Sequence, residues 1–167
     1  MNECEFIKET ALEAGELAKT YFRRSDLLIE NKSAKDIVTE ADKHVERFIC
    51  DKIKKTFPED STYGEEYGKK KGNHREWIID PIDGTSSFAQ GQPFFSISIG
   101  LYSHEQAQYA AVYAPILDEL FYAEKGKGAW CNDEKITISQ TKDLSQSMLA
   151  TGFACIRSDL HPNNIPF

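Results

Sequence analysis

The sequence lacks any long uncharged apolar run at its start. Residues 1–22 are interrupted by Glu3, Glu5, Lys8, Glu9, Glu13 and Glu16, which removes the apolar core of a signal peptide or a spanning helix and points to the cytoplasm. Paired cysteines are missing as well. Cys4, Cys50, Cys131 and Cys155 are widely scattered, with neither the close spacing of a metal knuckle nor the density of a disulfide-bonded scaffold, so reduced and mostly buried thiols are expected. Positive charge is in deficit. Twenty basic residues face 27 acidic ones, a net charge of -7, which argues against the broad basic footprint used for nucleic acid or an anionic membrane surface. The histidines His44, His74, His104 and His161 have no zinc-binding spacing and read as surface residues. There is no Gly-x-Ser-x-Gly elbow, no Gly-x-Gly-x-x-Gly turn and no Walker loop, and repeats, heptads and low-complexity segments are absent.

What is present is enough for one core. A chain of 167 residues with 40% hydrophobic content suits a single globular domain over 1–167. Phe6, Ile7, Leu12, Ala14, Leu17, Ala18, Tyr21 and Phe22 recur at helical spacing and predict an amphipathic helix from Glu3 to Phe22. A second helix is predicted after Val38-Thr39, with Ala41, Val45, Phe48, Ile49 and Ile53 on one face. Thr39 and Asp42 form a capping-box pattern in which Asp replaces the usual Glu. Beyond Phe57-Pro58 the chain turns to a Gly- and Lys-rich polar stretch and then to short apolar runs at 77–80, 95–101, 108–113, 120–123, 136–138 and 148–151. Gly126-Lys-Gly128 and Asn132-Asp133-Glu134 are hairpin turn signals. The fold class expected is therefore α+β: two helices packed on a mainly antiparallel sheet.

Four acidic positions sit where elements end: Asp42 near a helix start, Glu65-Glu66 in a polar loop, and Asp80 and Asp83 after Trp77-Ile-Ile. If the substrate is an anion, an acidic chain must borrow positive charge, and carboxylates that hold a divalent cation convert repulsion into an anchor. Magnesium takes oxygen ligands and keeps several waters, so a few carboxylates and one carbonyl suffice. Pro81 stiffens the chain after Asp80, and Gly84 permits a turn that aims Asp80, the Ile82 carbonyl and Asp83 at one point. Thr85, Ser86 and Ser87 follow, and hydroxyl residues opening a helical turn present N–H groups to an anion. Thr85 could also hold a metal-bound water whose proton Glu65 takes. Taken singly, Asp42 is an ordinary helix-start residue, Glu65-Glu66 is loop charge beside Lys69-Lys70-Lys71, and Asp83-Gly84 is a turn. An EF-hand is rejected, because alternate-position oxygen ligands and a terminal glutamate are missing.

Four blocks in order carry a family resemblance. Asp36-Ile-Val-Thr-Glu-Ala-Asp42, Gly64-Glu-Glu66, Trp77-Ile-Ile-Asp-Pro-Ile-Asp-Gly-Thr-Ser-Ser-Phe88 with Pro93-Phe-Phe-Ser-Ile-Ser-Ile-Gly100, and Val112-Tyr-Ala-Pro-Ile-Leu-Asp-Glu-Leu-Phe121 together closely resemble the inositol monophosphatase family. The resemblance implies the N-terminal half of a layered αβαβα sugar-phosphatase fold. It also implies two or three magnesium ions: Glu65, Asp80 and the Ile82 carbonyl on the first, Asp80 and Asp83 on the second, and Asp42 helping a third through water. Gly84, Thr85 and Ser86 would bind phosphate, while Thr85 and Glu65 orient and activate the attacking water. Lys32 or Lys35 would lie in a loop that closes over the site. The chain departs from the pattern at Ser87, where relatives have Asn, and in lacking the family's Trp-Asp-x-Ala-Ala-Gly block, whose aspartate completes the second metal site. A C-terminal half is accordingly expected to be absent, leaving a sheet edge or an apolar face uncovered.

The resemblance implies a magnesium-dependent, inositol-1-monophosphatase-like hydrolase of small polyol or sugar phosphates, cytoplasmic, homodimeric, and without nucleic-acid or membrane partners. The alternatives are a fructose-1,6-bisphosphatase, a 3′-phosphoadenosine 5′-phosphate phosphatase, a histidinol-phosphatase, or a truncated metal-binding module without turnover.

Overall fold

The computed structural model describes residues 2–33 and 36–150, and the side chains of all of these except 31–33 and 36. Lys35, Cys155 and His161 therefore lie outside the described residues, as does the side chain of Lys32.

Asn2 caps the first helix, α1 (Glu3–Lys19), its side chain accepting the Glu5 N–H at 2.9 Å. Glu3 and Glu5 in the first turn and Lys19 in the last suit the helix dipole. The helix ends before Tyr21 and Phe22, three residues earlier than the periodicity predicts. Both rings still pack against the core, which is why the apolar pattern continues past the last helical turn. Leu12, expected on the buried face, is exposed. The inner face holds the expected Phe6, Ile7, Ala14 and Ala18 together with Thr10, Ala11 and Gly15, so that its second half is built from small residues. A methyl group at Gly15 would overlap the Tyr113 ring, so the helix lies close on the sheet only because this position has no side chain.

A hairpin precedes the second helix: β1 (Ile29–Ser33) pairs antiparallel with β2 (Asp36–Thr39). The capping box read from the sequence starts α2 (Glu40–Thr56), with the Thr39 N–H donating to Asp42 Oδ2 at 2.8 Å. Its buried face holds the expected Ala41, Val45, Ile49 and Ile53, and also two acids, Asp42 and Glu46.

The remaining described chain forms one sheet of eight strands: β3 (Ser61–Gly64), β4 (Gly68–Lys70), β5 (Arg75–Asp83), β6 (Ser96–Ser103), β7 (Gln106–Ala114), β8 (Glu119–Glu124), β9 (Gly128–Cys131) and β10 (Glu134–Ile136). The spatial order is β10-β9-β8-β7-β6-β5-β3-β4. All pairs are antiparallel except β3 with β5, and β4 carries the chain back so that β5 can run alongside β3. Two-residue turns close the hairpins at His104-Glu105, with φ of 52° and 58°, and at Asn132-Asp133, with φ of 47° and 68°. Left-handed geometry at both central residues matches the twist of the flanking strands. The polar Gly- and Lys-rich stretch thus contains β3 and β4, while Met148–Ala150 at the last apolar run are not in a strand. A short third helix, α3 (Thr85–Ala89), lies between β5 and β6.

Strand alternation divides the sheet into two unlike faces. Trp77, Ile79, Ile97, Ile99, Leu101, Ala111 and Tyr113 point to α1 and α2 and form the core. The opposite face presents Ile78, Gly100, Ala110, Val112 and Phe121. Trp77 is 0% exposed, stacks on Phe57, meets Phe6 edge-on, and donates from Nε1 to Asp60 at 2.9 Å. The chain divides into two compact units, Met1–Ile136, which holds α1–α3 and all ten strands, and Thr137–Phe167. In the described part of the second, the regular structure is one 3-10 turn, Leu144–Gln146.

Neighbouring positions on β5 should therefore differ sharply in their tolerance of truncation. Trp77→Ala is expected to cost about 3–5 kcal/mol through the cavity it leaves, whereas Ile78→Ala, at a residue 39% exposed, should cost about 1 kcal/mol or less. Urea unfolding of the two variants measures both.

Candidate active site

The site grows out of an irregularity in β5. Asp80 pairs with Ser98 and Asp83 with Ser96, so Pro81 and Ile82 together oppose the single residue Ile97. Proline has no N–H to give to the ladder and is tolerated at such a bulge. Pro81 and Ile82 are buried, and the bulge turns the chain at the end of the strand. Gly84 follows with φ 92°, and a Cβ there would lie 2.8 Å from the Phe94 carbonyl oxygen. Only glycine combines that backbone angle with that close approach. The chain then enters α3 at Thr85, where the N–H groups of Thr85, Ser86 and Ser87 open the helix and have no acceptor within it.

Thr85 links three parts of the site. Its hydroxyl lies 3.1 Å from Asp42 Oδ1 and 3.0 Å from the Ile82 carbonyl, with one proton to share between them. Asp42 is buried at the start of α2, and its Oδ2 accepts both the N–H and, at 2.6 Å, the hydroxyl of Thr39. Burial raises its pKa, against the lowering effect of the hydrogen bonds from Thr39 and Thr85. The helix-capping aspartate is thus also tied to the start of α3 through Thr85.

Asp80 is the electrostatic centre. Burial, followed by the charges of Glu65 and Asp83, a hydrogen bond with Glu65 and the more distant charge of Asp42, pushes its pKa up to about 7. Its Oδ1 is buried without a hydrogen-bond partner. Such an oxygen, surrounded by like charge, is a strong unmet demand for a cation or a proton. Among the described residues no three His, Cys, Asp or Glu side chains are gathered into a ready-made cage. The available donors are hard oxygens, which would suit magnesium, an ion commonly held by one or two carboxylates with waters completing its shell.

Glu65 stands in the turn between β3 and β4, and Asp83 lies at the exposed end of β5. Beside Asp83 and Gly84 an open groove of about 340 Å³ runs along Phe94, Phe95, Val112 and Leu117. Hydrogen bonds join Asp42, Thr85 and the Ile82 carbonyl, and the charges of Glu65, Asp83 and Asp42 bear on Asp80; Gly84 and Ser86 adjoin in sequence. Glu46 carried no signal as a site residue in the sequence reading, although it sits four residues after Asp42 on the same helical face. Phe94 and Leu117, which wall the groove, lie within blocks that carry the family resemblance but had no role assigned to them. His44, His74 and His104 are exposed as expected, and Cys4, Cys50 and Cys131 are free thiols. No described helix is long and apolar enough to cross a membrane.

Known proteins share this arrangement of chain. Residues 2–166 match the model of the inositol monophosphatase family. An inositol monophosphatase of Dictyostelium discoideum is 43% identical over 147 residues, covering 86% of this chain and 54% of the relative. A Thermotoga maritima protein named fructose-1,6-bisphosphatase/inositol-1-monophosphatase is 39% identical over 152 residues, covering 91% and 59%. The solved inositol monophosphatase of Anabaena (Nostoc) superposes with a TM-score of 0.81 at 37% identity, over 96% of this chain and 59% of that one. The chain spans little more than half the length of these relatives. With the family model matching almost from end to end and the same fold carried by relatives that share over a third of its positions, the chain belongs to the inositol monophosphatase family.

Proposed function

We propose that this chain carries the metal-binding half of a magnesium-dependent phosphatase that hydrolyses a small polyol or sugar phosphate monoester. The observation behind the reading is Asp80, whose buried, unpartnered oxygen lies among Glu65, Asp83 and Asp42. On this reading Glu65, Asp80 and the Ile82 carbonyl would hold a first magnesium, Asp80 and Asp83 would hold a second, and Asp42 would serve a third through water. Bound magnesium supplies the positive charge that lowers the pKa of a water and neutralises phosphate oxygens. The protein's own groups do the rest. The N–H groups at Gly84, Thr85 and Ser86 seat the phosphate. The Thr85 hydroxyl, already poised between two oxygens, orients the attacking water, and Glu65 takes its proton.

The Dictyostelium relative's name supports an inositol phosphate substrate, and the Thermotoga relative's name keeps fructose bisphosphate as a second reading. Adenosine bisphosphate, histidinol phosphate and a non-catalytic metal-binding module are further outcomes of the same test. The free thiols accord with a cytoplasmic location. Ile78, Tyr102, Val112 and Phe121, exposed apolar residues, offer area for the homodimer this reading carries.

Phosphate release measured across these substrates, with and without magnesium, separates the readings, and magnesium uptake without release identifies the module. Asp83→Asn should lower magnesium-dependent release by about 100-fold or more, since several kcal/mol of charge stabilisation depend on the ion it holds. Unchanged release would refute the mechanism. Asp80→Asn should act in opposite directions on two melting curves. Without metal the variant should melt a few degrees above wild type, because an unfavourable buried charge of roughly 1 kcal/mol is gone. With magnesium it should gain none of the stabilisation that the wild type shows.

A further inference from the structure

Glu46 is 0% exposed on α2, a poor place for a carboxylate unless it is fully engaged. Its oxygens face the chain that follows Gly64. Oε2 accepts the Glu66 N–H at 2.6 Å and Oε1 accepts the Tyr67 N–H at 3.0 Å. The carboxylate therefore closes on the two amides directly after Glu65, the residue read above as a metal ligand and base. Gly64 shows how close this contact is. A methyl group there would overlap the Glu46 carboxylate itself, so the approach requires glycine at the entrance to the turn. Tyr67 is tied to the same helix, its hydroxyl donating to the Lys43 carbonyl at 3.2 Å and accepting from Arg47 at 3.0 Å. Asp42 lies one helical turn before Glu46. One rigid element thus presents Asp42 directly and holds the Glu65 turn through backbone amides.

We propose that Glu46 is a positioning residue of the metal site, which sets the direction of Glu65 toward Asp80 by clamping the N–H groups of Glu66 and Tyr67. The proposal rests on the metal-dependent reading of the site. Charge-assisted hydrogen bonds to two consecutive amides fix both the position and the rotation of the turn, and supporting groups of this kind govern metal affinity about as strongly as 10–100-fold. Glu46 makes no contact with substrate or metal in this role; it acts through the chain of the turn.

The test is calorimetric titration of magnesium into the metal-free protein, with Glu46→Gln, Glu65→Gln and the double variant beside wild type. Glu46→Gln should weaken magnesium binding by about 10-fold while retaining a cooperative unfolding transition. In the Glu65→Gln background it should cost nothing further, because its effect passes through Glu65. A merely structural role predicts additive losses, and additivity, or wild-type affinity in Glu46→Gln, overturns the proposal. If Glu46→Gln does not fold, Gly64→Ala in the same cycle decides, since it displaces the carboxylate while leaving Glu46 in place. In the wild type, the Glu66 and Tyr67 amide resonances should move with magnesium; amides that stay still overturn the proposal as well. A wild type that takes up no magnesium overturns the functional reading and this inference with it, whereas wild-type uptake with an unaltered Glu46→Gln overturns the inference alone.

Discussion

A carboxylate held at the rim of a core among other carboxylates is unstable by itself, and much of this structure serves to hold Asp80 in that position. Like charges a few ångström apart near a protein surface repel by on the order of a few kcal/mol. Here burial adds to the repulsion from Glu65, Asp83 and Asp42. A chain free to relax would turn Asp80 into water. It is prevented by its place in β5, where pairing with Ser98 fixes the face on which it emerges, and by the buried Pro81 and Ile82 that follow. The fold therefore concentrates negative charge at Asp80, a demand that a cation would meet on the proposed reading.

The second helix is the other half of that arrangement. An amphipathic helix ordinarily buries only apolar groups, yet α2 buries Asp42 and Glu46 beside Ala41, Val45, Ile49 and Ile53. Both acids are satisfied by hydrogen bonds, Asp42 from Thr39 and Thr85, Glu46 from the amides of Glu66 and Tyr67. Thr39 starts the helix, Thr85 starts α3, and the Glu65 turn joins β3 to β4. Helix start, strand bulge and turn are thereby locked to one another by polar contacts, while the apolar residues of α2 bind the assembly to the core.

The sheet shows a matching asymmetry. Its inner face is filled by Trp77, Ile79, Ile97, Ile99 and Leu101 against the two long helices. Its outer face carries small residues, Gly100, Ala110, Ala123 and Ala129, paired across successive strands, with Ile78 and Phe121 beside them. A row of small side chains admits the close approach of another layer. The chain spans 54–59% of the length of the Dictyostelium and Thermotoga relatives, and the groove beside Asp83 is open along Phe94 and Leu117.

Local chemistry was readable from the amino acids in order. The 3.6-residue period gave both long helices, the Thr39/Asp42 pair gave the start of α2, and left-handed turn residues gave the hairpin at Asn132-Asp133. The blocks around Asp80 and Asp83 gave the family. Each of these depends on residues close together in the chain, where spacing alone carries the geometry. Structure departs from local pattern where distant contacts override it: Tyr21 and Phe22 join the core after α1 has ended, and the polar residues of β3 and β4 become strands by pairing beside β5. Glu46 was illegible for the same reason. In sequence it is one more charge on a charged helix, and only the return of the chain at Gly64 brings it two amides to hold. Sequence by itself determined which oxygens are available to a metal, because ligand chemistry belongs to residue type. Tertiary structure alone decided that the charges of Asp42 and Glu65 bear on Asp80, because their approach depends on where a helix, a turn and a bulged strand converge.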